Sequence, residues 1–207
     1  MSNPWLEIPL SDYEGHMALP AIGQAQMLGD HFERLIRRYR LGSVAVVGCA
    51  GGNGLERIGA GEVSRVVAVD INPQYVEAVT ARHGERLTEL EVYCADVQSD
   101  ALRFEPVDLI YAALLFEYVD VPAALKTLRR LCRPGGVLAT ALQLPNPDLS
   151  TVSQSPYRSL GALAPVIRLV EPEDLCAQAD AVGFRRVESE VVTLPSGKAF
   201  ALLSLRG

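Results

Sequence analysis

The run Val44-Ala45-Val46-Val47-Gly48-Cys49-Ala50-Gly51-Gly52-Asn53-Gly54, followed at a short distance by Val66-Val67-Ala68-Val69-Asp70, decides the fold. An unbroken apolar run closed by glycines reads as a strand buried on both faces. The glycines allow a sharp turn and a close approach of backbone to a ligand. The second run ends on a carboxylate. Ligands of parallel sheets bind outside the carboxyl ends of the strands, so Asp70 should stand beside the glycine loop. There it could accept hydrogen bonds from ribose hydroxyls.

The loop fits neither common nucleotide signature. A dinucleotide fingerprint starting at Gly48 would need glycine at the positions of Gly48, Ala50 and Asn53. One starting at Gly52 would need it at Gly52, Gly54 and Arg57. No Gly-x-x-x-x-Gly-Lys run occurs. The alternation outward from the loop is α/β. Ala21 to Tyr39 reads as a helix, with Leu28, Phe32, Leu35, Ile36 and Tyr39 on one face. Arg34, Arg37 and Arg38 near its end suit the helix dipole and read as a solvated face.

Strands are expected at Ser43 to Gly48, Arg65 to Asp70, Leu90 to Cys94, Val107 to Ala113 and Val137 to Gln143. A short helix should follow Gly54. Asn72-Pro73 caps and opens a helix running to about Arg82. Pro122 opens another, stopped by Pro134-Gly135-Gly136, and Glu171-Pro172 a third, ended by Gly183. The runs Arg185 to Leu194 and Lys198 to Leu205, joined by Pro195-Ser196-Gly197, can only be antiparallel neighbours. Residues 1 to 20 show no helical or strand period. They read as an irregular strap that packs Trp5, Ile8 and Leu10 onto the core.

Motif by motif, the chain resembles the class I S-adenosylmethionine (SAM)-dependent methyltransferases. The glycine loop resembles their first motif, with Val46 in the usual acidic place and Ala50 in place of the middle glycine. Asp108-Leu109-Ile110-Tyr111-Ala112-Ala113-Leu114-Leu115-Phe116-Glu117-Tyr118-Val119-Asp120 resembles the fourth-strand motif and its turn. Leu131-Cys132-Arg133-Pro134-Gly135-Gly136-Val137-Leu138 resembles the turn before the fifth strand. The resemblance spans about Leu41 to Leu205. It implies a Rossmann-like, seven-stranded, mostly parallel sheet with an antiparallel C-terminal hairpin. Helices would cover both faces, with an N-terminal helical extension. Residues 1–207 would form one domain, 1–40 a lid and helix and 41–207 the core.

The resemblance further implies SAM as cofactor and S-adenosylhomocysteine (SAH) as product. Tyr13, Gly48, Cys49, Ala50, Gly52, Asp70, Ile71, Asp96, Val97, Ala112 and Leu115 would bind it. Backbone near Gly48, Ala50 and Gly52 would meet the amino acid end and Asp70 the ribose. Asp96 would meet the adenine amine, with Ile71 and Val97 about the ring. Asp96 could equally be a helix N-cap, and the two roles can coexist.

Methyl transfer chiefly needs the nucleophile aligned with the methyl group, with a base only if that nucleophile carries a proton. The family often has His after the Glu of the fourth-strand turn; Tyr118 stands there instead. His16, Glu14 and Tyr118 are the catalytic candidates, with Tyr13 and Glu117 as further substitutes. His31 and His83 read as surface or boundary residues.

Net charge is −6 and no basic patch is evident, which disfavours nucleic acid. No Asn/Asp-Pro-Pro-Tyr motif, no Pro-Cys pair and no paired-glutamate loop is present, so a small-molecule acceptor is expected. The segments expected to select it are the N-terminus, Leu114 to Tyr118 and the loop Gln143 to Leu163, the last of which could equally be a solvated crossover. No apolar stretch is long enough to span a membrane and no signal pattern is seen, so no membrane partner is expected. Cys49, Cys94, Cys132 and Cys176 are scattered without metal-ligand spacing, which fits reduced thiols in the cytoplasm and no metal site. Two rivals stay open: a SAM-binding regulatory or partner protein without catalysis, and a nucleotide-cofactor oxidoreductase.

Overall fold

A computed structural model describes residues 3–87 and 89–207. Among them, the strands β1 (Ser43–Val47), β2 (Arg65–Asp70), β3 (Leu90–Cys94), β4 (Val107–Tyr111), β5 (Cys132–Gln143), β6 (Arg185–Thr193) and β7 (Ala199–Arg206) form one sheet. Its order is β3-β2-β1-β4-β5-β7-β6. The first five strands are parallel, and β7 runs antiparallel to both β5 and β6. This is the Rossmann-like sheet with the C-terminal hairpin that the sequence predicts. The order reverses between β1 and β4, so the loops after these two strands diverge and leave a crevice between them.

All five residues of β1 are buried, as an apolar run flanked by strands on both sides requires. Ala45 and Val47 face one layer with helices α4 (Val121–Leu131) and α5 (Pro172–Ala181), through Leu125, Leu128 and Leu175, with Phe184 just beyond α5. Val44 and Val46 face the other, under α2 (Gln24–Tyr39) through Phe32, Leu35 and Ile36, and α3 (Pro73–His83) through Val79. Val46, in the usual acidic place, is therefore a core residue. The arginines of α2 stay solvent-exposed, and Arg34 and Arg38 pair with Glu190 and Glu188 of β6.

The N-terminal strap departs from expectation. Leu10–Ala18 is a helix, α1, preceded by a 3-10 turn over Pro4–Leu6. The inward face of α1 carries Tyr13, His16 and Met17, which line cavities, so no apolar period marks it. Gly15 lies inside this helix with the Tyr157 ring against it, where a Cβ would come within 2.3 Å of the ring; it is a packing glycine, not a bend. Among the bonds that tie the strap down, three fix its backbone turn and the outer side of α1. Asn72 Nδ2 donates to Trp5 O at 2.8 Å, Tyr75 Oη to Ile8 O at 2.9 Å, and Ser159 Oγ to Asp12 Oδ2 at 2.6 Å.

His31 and His83 are also corrected: both are buried. His31 packs edge-on to Tyr111, and desolvation with the nearby Arg34 charge pushes its pKa down to about 4. His83 lies beneath the glycine loop.

Candidate active site

Three adjoining lobes open at the carboxyl ends of β1, β2 and β4. The loop after β1 shapes the first two. Gly48 has φ +74°, and a Cβ there would lie 3.3 Å from Leu115, so the two loops of the crevice nearly touch. Ala50 adopts φ +45°, a left-handed conformation that L-residues reach only at a cost. Its amide donates to Asp70 Oδ2 at 2.9 Å, while Asn72 N donates to Asp70 Oδ1 at 3.0 Å. One carboxylate thus holds the glycine loop against the start of α3. Asp70 is buried; desolvation raises its pKa against the lowering effect of these backbone bonds.

The first lobe is lined by Trp5, Tyr13, Gly48, Asp70, Ile71, Tyr75, Asp96, Val97, Leu115 and Tyr118, among others. Asp96 Oδ1 accepts from Gln98 N at 2.9 Å, so it caps the local turn and lines the lobe at once. The second lobe is lined by Tyr13, Glu14, Met17, the loop from Gly48 to Asn53, Arg82, His83 and Tyr111. Here Arg82 of α3 bonds Glu14 of α1 through both nitrogens and also donates to Gly51 O at 3.2 Å. A Cβ on Gly52 would meet His83 Nε2 at 2.8 Å, so the protein itself leaves that position no room.

The third lobe is a small chamber of about 60 Å³ lined by Trp5, Tyr13, His16, Leu114, Glu117, Tyr118, Gln143, Leu160 and Lys198, among others. Tyr13 lines all three lobes. Trp5 stands edge-on to Tyr118 at 5.0 Å and to Tyr13 at 5.7 Å between centroids, so three rings partition the first and third lobes. Desolvation raises the pKa of both Tyr13 and Tyr118, which keeps them phenols. His16 Nδ1 lies 2.9 Å from Ser155 Oγ, and burial plus the Lys198 charge lowers its pKa. Glu117 is buried; its Oε1 accepts from Gln143 N at 2.8 Å and its Oε2 has no partner. Desolvation pushes Glu117 up to about 7.

The expected site residues therefore gather, with one exception. Tyr13, Gly48, Cys49, Ala50, Gly52, Asp70, Ile71, Asp96, Val97 and Leu115 all line the first two lobes. Ala112 lines none: it is fully buried, with its N–H and C=O committed to Ala139 and Thr140 of β5. Of the catalytic candidates, His16 and Tyr118 line the chamber, whereas Glu14 is engaged by Arg82 beside the glycine loop. Arg82 and Lys198 were not anticipated. The signal for Lys198 was present: it falls in phase with Phe200 and Leu202, whose side of β7 is buried beneath α1 and α2.

Residues 45–140 match the family described as Methyltransferase domain. The N-methyltransferase NodS from Bradyrhizobium japonicum WM9, in complex with SAH, aligns over 100% of this chain and 99% of its own, with TM-score 0.70 and 16% identity. A possible exported protein from Bordetella parapertussis aligns over 91% and 69%, with TM-score 0.68 and 21% identity. The (4+2)-cyclase SpnF aligns over 86% and 80%, with TM-score 0.66 and 15% identity. At these identities the likeness is one of fold. A search of curated proteins finds no match.

The matched segment covers the glycine loop through β5, the stretch that carries every motif of the sequence reading. A methyltransferase domain over residues 45–140, on a fold shared with an SAH-bound methyltransferase, supports a SAM-dependent methyltransferase with SAM as cofactor and SAH as product. The residues present fit that cofactor. A left-handed glycine-rich loop, a buried strand-end carboxylate, and an acid–arginine pair beside the loop offer complements to a ribose and a zwitterionic amino acid end.

Proposed function

We propose that this enzyme methylates a small-molecule acceptor lodged in the third lobe. The carrying observation is that chamber. It is small, roofed by α1 and the 3-10 turn Arg158–Leu163, and shares Tyr13, Trp5, Leu114 and Tyr118 with the first lobe. SAM supplies, when bound, a methyl group already activated by its sulfonium. Asp70 would accept from the ribose hydroxyls; Ile71 and Val97 would flank the adenine, with Asp96 accepting from its amine. The loop from Gly48 to Gly52 would hold the amino acid end, with Glu14 and Arg82 facing its ammonium and carboxylate. Tyr13, at the meeting of the three lobes, would border the reacting centre and exclude water.

Two groups facing the chamber can take a proton from an acceptor: the open oxygen of Glu117 and the ring of His16. Tyr118, held as a phenol by burial, would orient rather than deprotonate. A cytoplasmic setting is supported by four cysteines that are all unpaired. No helix among the described residues is long and apolar enough to cross a membrane.

The test is labelled methyl transfer from SAM into an extract separated into small-molecule and macromolecular fractions. Label is expected in the small-molecule fraction. Label confined to protein or nucleic acid would refute the acceptor class. SAH binding without label anywhere would favour the rival reading, a SAM-binding protein without methyl transfer, which Tyr118 in place of His keeps open.

A further inference from the structure

The third lobe holds a charge without a counter-charge. Lys198 is 5% exposed, and its ammonium bonds two neutral oxygens, Thr151 O at 2.5 Å and Gln143 Oε1 at 3.3 Å. An ammonium has three N–H groups, so one remains open. No carboxylate lies within ion-pair distance of it among the described residues. A buried charge without a partner is costly, and proteins retain such groups where a ligand completes them. Burial lowers the Lys198 pKa to about 8, which leaves the group mostly protonated at neutral pH.

On the other side of Gln143 stands a second open position. The Gln143 side-chain oxygen accepts from Lys198, while its backbone N–H donates to Glu117 Oε1 and leaves Glu117 Oε2 buried and unpartnered. A donor with an open N–H and a carboxyl with an unpartnered oxygen thus belong to two residues lining the same chamber, with Gln143 between them. The remaining polar side chains lining it are Trp5, Tyr13, His16, Gln24, Tyr118, Thr151 and Ser153. A volume of about 60 Å³ admits roughly four to six water-sized groups, enough for a carboxylate and one neighbouring heteroatom.

We propose that this chamber receives the acidic end of the acceptor: Lys198 pairs with the carboxylate of a small hydroxy- or amino-acid, and Glu117 Oε2 accepts from its hydroxyl or amine. A single ammonium matches the single charge of a carboxylate; a phosphate dianion would bring a second negative charge beside Glu117, with no second Lys or Arg among the described lining residues to meet it. This rests on the methyltransferase reading above.

The test is calorimetry of SAH-saturated protein with glycolate, lactate, glycine and alanine, each against its primary amide, which keeps the shape and removes the carboxylate. At least one acid should bind, with its amide weaker by about tenfold or more, as loss of one charge-assisted bond implies. Lys198→Met should abolish that preference and leave SAH affinity unchanged; Lys198→Gln serves if the first variant does not fold. The acid–amide comparison itself needs no variant. SAH binding with acids and amides alike, or with neither bound, overturns the proposal and leaves the methyltransferase reading standing. Failure of SAH itself to bind overturns both.

Discussion

Replacing Ala50 by glycine is expected to stabilise the unliganded protein. Ala50 sits at φ +45°, held there by its amide bond to the buried Asp70 carboxylate. The left-handed conformation costs an L-residue about 1–2 kcal/mol, which glycine escapes. Against this, glycine gives the unfolded chain extra freedom worth about 0.4–1 kcal/mol. Taken at mid-range, the net gain is about 0.8 kcal/mol. For a chain of this size that corresponds to a rise in Tm of about 1–4 °C. Thermal unfolding followed by far-UV circular dichroism reads it, with urea titration at unchanged m-value as the control. A lower Tm for Ala50→Gly would refute the reasoning. It would mean either that the backbone is unstrained at this position or that the methyl group packs productively.

Three further predictions concern the same region. Asp70→Asn should weaken SAH binding by about 1.5–3 kcal/mol through lost charge-assisted bonds, and Asp96→Asn by less; calorimetry giving the reverse order would misplace the ribose. Arg82→Ala should raise hydrogen exchange over residues 11–17 while costing under about 1 kcal/mol of stability, because the Glu14–Arg82 pair is part-exposed; unchanged exchange would remove that pair as the latch of α1. Glu117 binds its proton more tightly folded than unfolded, so its contribution to stability falls as pH rises from about 4.5 to about 7. Glu117→Gln should therefore lose less stability than wild type across that window in denaturant titrations, and parallel curves would contradict the burial argument.

The sheet was legible because its strands obey simple rules. β2 and β3 appear at their expected bounds, each an apolar run between turn residues. β4 stops at Tyr111, two residues early, because the chain must swing out over the crevice, and Leu114 takes φ +52° as it does. β5 starts earlier than expected, since Cys132 already pairs with Val107 across a register shift. The candidate site was legible where it stays at the strand ends: the glycine loop, Asp70 and Asp96 line the first two lobes. It was obscure where side chains from distant segments converge. The face of α1 that meets the site mixes Tyr13, His16 and Met17 because it borders cavities, so an apolar-period test passes over it. His31 and His83 sit at helix positions that read as boundary, and only the ring of Tyr111 and the closeness of the glycine loop explain their burial.

The pairing of Arg34 and Arg38 with β6 has a consequence for the behaviour of the molecule in concentrated solution. β6 is the last strand of the sheet, with one side of its backbone unpaired, and it exposes Val187 and Val191. An open apolar edge is a template on which a second chain can add a strand. Here Arg185, Arg186, Glu188 and Glu190 interrupt the valines, and α2 lays its arginines against two of those glutamates. A neighbouring strand would have to accommodate this row of charges before it could reach the backbone, which is how a sheet edge discourages aggregation without a covering helix.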